Sequence, residues 1–108
     1  MKELYKLHAE MCKVFSNPAR LEILNLLGDK EMSVTELIAK TALSQANVSQ
    51  HLSIMKSKGS VIFDRKGKNT YYGLANPKII DAFDIIREIL SERLKMEQKL
   101  TGNIRGRK

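Results

Sequence analysis

Between Lys2 and Phe15 the apolar residues Leu4, Leu7, Met11 and Val14 recur at intervals of three and four, the spacing of one stripe on an α-helix. In "SNPARLEILNLLGDK" Leu21, Leu24 and Leu27, with Ile23, give a second helix a wide apolar face. Asn17 is placed to cap it, Pro18 suits its first position, and Gly28 is the expected left-handed terminator. In "EMSVTELIAKT" the pair Ser33 and Glu36 predicts a capping box at the start of a short third helix ending near Lys40. Ser44 then caps a fourth helix, on which Val48, Leu52 and Met55 recur at four and three. A short helix, a tight turn around Ala42-Leu43 and a second helix have the spacing of a helix-turn-helix.

After Gly59 the period changes. "VIFDRKGKNTYYGL" places β-branched and aromatic residues on both sides of Lys66-Gly67, which predicts a hairpin with a basic turn. Asn76-Pro77 restarts a helix expected to run to about Gln98, on the order of 30 Å at 1.5 Å per residue. Half of its apolar length has nothing in so small a chain to pack against, which predicts a second copy as its cover. The fold class is therefore mainly α with a small β-hairpin, with one domain over residues 1–100. Residues 101–108 are a basic tail expected to be disordered.

The fourth helix is unusual in its polar residues. Ser44, Gln45, Asn47, Ser49, Gln50 and His51 are hydrogen-bonding side chains uncharged at neutral pH, where a solvated face would use Glu, Lys or Arg. Charge explains this choice. The chain of 108 residues carries a net +7. Lys56, Lys58, Arg65, Lys66 and Lys68 face only Asp64 between Ser44 and Gly73, and Lys99, Arg105, Arg107 and Lys108 form a second acid-free patch. The rest of the chain is close to neutral. Charge gathered this way is the footprint of a nucleic-acid surface. Amides bond base edges in the major groove of duplex DNA, which a recognition helix enters by its N-terminal end. Gln45, Asn47 and Gln50 are thus candidates for base reading, with Ser44, which also caps the helix, and Ser49 among the DNA-contacting residues. Lys56, Lys58, Arg65, Lys66 and Lys68 are candidates for phosphates, and His51 for a phosphate or a local cap.

Helix, helix, helix-turn-helix, basic hairpin and long helix, in that order, resemble the ArsR/SmtB family of winged-helix transcriptional repressors. The stretches "NPARLEILNLL", "LSQANVSQHLSIMKSKG" and "RKGKNTYYGL" carry the resemblance, which covers roughly Leu7 to Leu100. It implies a winged helix-turn-helix homodimer joined through the first and last helices, with Leu4, Leu7, Met11, Phe83, Ile86, Leu90 and Leu94 at the interface. It also implies an inverted-repeat operator and an effector that weakens DNA binding. Ser60 stands where the family usually has leucine, and looser packing beneath the wing is expected there.

The family's metal sites do not carry over: Ser33 and Thr35 occupy the Cys-x-Cys positions, and Phe83 and Leu94 the histidine positions. Asp81 and Glu97 match acidic positions but do not make a transition-metal site by themselves. No cofactor is expected, and the effector is unidentified. Cys12, the single cysteine, either packs as a small hydrophobe or serves a redox-responsive repressor. His8 lacks partners at ligand spacing. No nucleophile with an adjacent base and no phosphate loop occurs, so an enzyme is not expected. A winged-helix module that docks proteins without reading DNA is the other alternative. The N-terminal "MKELYKLHAEM" lacks the apolar core of a signal peptide, and a cytoplasmic protein without a membrane span is expected.

Overall fold

A computed structural model describes the backbone of residues 1–106 and the side chains of residues 1–100. The elements are α1 (Lys2–Val14), α2 (Pro18–Asp29), β1 (Met32–Ser33), α3 (Val34–Lys40), α4 (Gln45–Ser57), β2 (Val61–Lys66), β3 (Asn69–Leu74) and α5 (Lys78–Gly106). They form two units, Met1–Pro77 and the helix beginning at Lys78.

In the first unit Val14, Ile23, Leu24, Leu27, Met32, Leu37, Val48, Leu52, Met55 and Val61 are buried. Each fully buried aliphatic side chain contributes about 1.5–3 kcal/mol relative to exposure. The expected caps are in place. Asn17 Oδ1 accepts from the backbone N–H of Ala19 and Arg20, and Ser33 and Glu36 form the reciprocal box at the head of α3.

Gly28 does not terminate α2. The helix runs to Asp29 and the chain leaves it at Lys30 with φ −167° and ψ 163°. Extended backbone at Lys30 leads directly into β1, so the helix ends by entering a strand. The strand β1 itself was absent from the sequence expectation. Its two residues pair antiparallel with β3, Met32 opposite Tyr72 and Ser33 opposite Tyr71, which makes a three-stranded sheet in the order β1-β3-β2. The hairpin pairs Val61 with Leu74 through Lys66 with Asn69, leaving Gly67 and Lys68 as a two-residue turn.

The end of α4 is a Schellman motif. The N–H of Ser60 donates to the Met55 carbonyl at 2.8 Å and that of Gly59 to Lys56 at 3.0 Å, with Gly59 at φ +74°. The motif is commonly completed by an apolar contact from the residue after the glycine. Ser60 cannot supply one, although its carbonyl accepts from Ala75 N–H at 3.1 Å and anchors the strand ends.

The second unit is a single helix. It continues through residues 101–106, past the expected end near Gln98 and into the segment expected to be a disordered tail. Arg107 and Lys108 lie outside the described residues.

Candidate nucleic-acid interface

The turn between α3 and α4 is organised by Thr41. Its N–H and hydroxyl both donate to the Leu37 carbonyl, at 3.0 and 2.8 Å, and its Oγ1 accepts from Leu43 N–H at 3.4 Å. Ser44 Oγ then accepts from Asn47 N–H at 3.1 Å, so its role as a cap is structural. Val48, Leu52 and Met55 are at most 1% exposed, which fixes the rotation of α4. With those three turned inward, Gln45, Asn47, Ser49 and Gln50 are all turned out.

Their side chains make no hydrogen bond among the described residues. Four exposed polar side chains in the first two turns of α4 are thus uncommitted donors and acceptors. The first turn of α4 holds no acidic residue, so the positive end of the helix dipole is left uncompensated. An anionic backbone is attracted to such an end.

His51 differs from the other expected contacts. It is half-buried, and its Nδ1 accepts from Arg20 Nε at 3.3 Å. The hydrogen-bond direction assigns the ring proton to Nε2. Burial, and then the positive field of Arg20, lower its pKa from the ordinary histidine value, so it is held as a neutral ring. Arg20 Nη1 also donates to the Val14 carbonyl at 3.2 Å, at the end of α1. The sequence reading passed over Arg20. A signal was present, since Arg20 precedes Ile23 and Leu24 by three and four and so shares their buried face.

The basic residues of the hairpin divide into two groups. Arg65 and Lys68 are exposed and make no ion pair among the described residues, as does Lys58 at the end of α4. Lys66 is paired: its Nζ lies 3.1 Å from Glu31 Oε2, and this bond, followed by the field of Glu31, raises its pKa. Lys56 lies over the ring of Phe63, with Nζ 4.0 Å from the centroid. That contact links α4 to β2. The charges at Lys56 and Lys66 therefore also hold the hairpin in place.

Of the residues expected at an interface between copies, Leu4, Leu7 and Met11 on α1 are exposed, as are Ile86, Leu90 and Leu94 on α5. Phe83 is not. It is 7% exposed in the single chain. Ile85, Ile89, Met96, Leu100 and Tyr5 are also exposed.

Cys12 is exposed on α1. Ser33 is buried and occupied with its cap, Thr35 is exposed, and Glu97 accepts from Arg93 Nε at 3.1 Å. Among the described residues no group of three His, Cys, Asp or Glu side chains gathers to hold a metal ion. No helix among them is long and apolar enough to cross a membrane.

Residues 17–62 match the profile of the bacterial regulatory protein, arsR family. The chain is 37% identical over 104 residues to the HTH-type transcriptional regulator Rv0081 of Mycobacterium tuberculosis, covering 95% of this chain and 91% of that one. The crystal structure of Rv0081 superposes with a TM-score of 0.78 at 36% identity, over 87% of this chain and 95% of that one. The transcriptional repressor PagR of Bacillus anthracis is 37% identical over 83 residues, 75% of this chain and 82% of PagR. A homodimeric winged helix-turn-helix DNA-binding domain from Mycobacterium bovis matches with a TM-score of 0.78 at 28% identity, over 88% of each chain.

Proposed function

The chain belongs to the ArsR family of transcriptional regulators, and from that premise we propose that it is a homodimeric repressor that reads an inverted-repeat operator with α4. The observation that carries this reading is the exposed polar residues of α4, beside a hairpin whose Arg65 and Lys68 make no ion pair among the described residues. Gln45, Asn47 and Gln50 bond base edges, for which amides are suited. Lys58, Arg65 and Lys68 contact phosphates and fix the register. Ser44 holds the entering end of the helix. Phosphate contact from Lys66 has to compete with Glu31.

The homodimer supplies the symmetry. The exposed apolar residues of α1 and of α5 are its interface, with Ile86, Leu90 and Leu94 at the centre on α5. A two-fold dimer presents two copies of α4, which is why the operator is an inverted repeat with half-sites about one helical turn apart. Occupying such a site represses transcription by excluding other proteins from it.

The test is selection of DNA fragments by the purified protein, followed by titration of the selected duplex and of random duplex at two salt concentrations. The reading predicts an inverted repeat and binding that weakens steeply with salt. Absence of any sequence preference, with no salt-dependent binding, would contradict it and favour docking to protein.

A further inference from the structure

One guanidinium ties three helices together. Arg20 lies in the first turn of α2, donates from Nη1 to the Val14 carbonyl at the end of α1, and donates from Nε to His51 in the middle of α4. The Val14 carbonyl is among the last of its helix and has no partner within it. His51 is the residue after Gln50 and lies four beyond Asn47, one turn along the same helix. Whatever fixes the ring also fixes the stretch of α4 whose amides point outward.

The link exists in one protonation state only. A neutral imidazole accepts at Nδ1 through a lone pair, whereas an imidazolium has two N–H groups and no acceptor. Adding a proton would remove the acceptor and set a second cation 3.3 Å from the guanidinium. Among the described residues the charged group whose field acts on the ring is Arg20, and no carboxylate offsets it.

We propose that Arg20 is a positioning residue for base reading, which holds α4 in register through His51, and that protonation of His51 releases this hold so that operator preference falls in mildly acidic solution. The inference rests on the reading of α4 as the operator-reading helix. General attraction to DNA does not depend on the link, because phosphate contacts from Lys58, Arg65 and Lys68 tolerate small shifts of α4. Base-edge bonds do not, since bidentate geometry fails with small displacements. Acid therefore separates the two kinds of binding.

The test measures affinity for a selected operator and for random duplex between about pH 8 and pH 5.5, alongside an NMR titration of His51 in the free protein. The expected NMR result is an Nε2–H tautomer titrating below the ordinary imidazole value of about 6.5. The operator-to-random ratio of the wild type should fall by roughly tenfold across this range. His51→Gln has no group at this position that titrates in this range, so its ratio, whatever its value at pH 8, should be level across it. In Arg20→Lys a single ammonium cannot reproduce the fork, and the ratio should be low already at pH 8. A wild-type ratio that stays level while His51 titrates would overturn the proposal, as would a fall that persists in His51→Gln. Failure to prefer any duplex at pH 8 would instead contradict the DNA reading. The NMR result would then decide the link alone, and a ring titrating as a free surface imidazole would overturn it, even if Arg20→Lys fails to fold.

Discussion

Glu31 reaches across β3 to Lys66, placing Oε2 3.1 Å from Nζ, and its path runs over Gly73. A Cβ built at Gly73 would meet Glu31 Cγ at 3.3 Å, so the bare backbone there makes room for the crossing. Both side chains are about half exposed, so the pair is a solvent-screened tether for the hairpin. On the proposed DNA reading it also occupies a cation that would otherwise be free for phosphate. Glu31→Gln should release Lys66, strengthen binding to operator and random duplex alike, and steepen the salt slope by about 0.9 per added contact. A salt titration of the two proteins checks this. An unchanged slope would mean that Lys66 already sits on phosphate in the complex.

Ser60 leaves the Schellman motif after α4 without its apolar contact. Ser60→Leu should place a side chain against buried Met55 and raise folding stability by about 1 kcal/mol, the scale of one or two buried methylene groups. Urea denaturation of the two proteins decides it. A lower midpoint would show that the space beneath the hairpin is already filled.

Leu90 is 48% exposed in the single chain, so its replacement should leave the folded subunit intact. Leu90→Glu should instead bury an unpaired charge between two subunits and cost the dimer several kcal/mol. Sedimentation should find a folded monomer with weakened operator binding. A variant that remains dimeric at the wild-type concentration would exclude this part of α5 from the interface.

Folding stability should also depend on His51. The folded state lowers its pKa, so the unfolded chain binds the proton more tightly. The contribution is complete above the unfolded imidazole value of about 6.5 and is lost as pH falls through the lower folded value. Thermal melts from about pH 7.5 downward should show the wild type losing stability that His51→Gln retains. Parallel curves would mean that the ring is equally free to protonate in both states.

What was legible in the sequence was local. Asn17, Ser33 and Ser44 cap helices because each cap is settled within three residues, and the stripes at Val48, Leu52 and Met55 mark the buried face directly. Gly28 misled because a glycine permits a left-handed terminus without requiring one. Two-residue β1 has no period to detect, and its existence depends on Tyr71 and Tyr72, some forty positions away. Arg20 and His51 are separated by 31 positions, and only packing brings them together. The polar face of α4 was readable because residue choice on an exposed helix is otherwise free. Which lysines are committed within the chain was not readable, since Glu31 and Phe63 reach them only through the folded sheet.

If α4 reads sequence while the hairpin supplies general affinity, the ratio of operator to random-duplex affinity in single variants separates the two roles. Gln50→Ala should lower that ratio by about 1–3 kcal/mol if its amide bonds a base bidentately. Lys68→Ala should weaken both kinds of binding equally, keep the ratio, and reduce the salt slope by about one. A ratio unchanged in Gln50→Ala but reduced in Lys68→Ala would mean that the hairpin, not α4, reads the sequence.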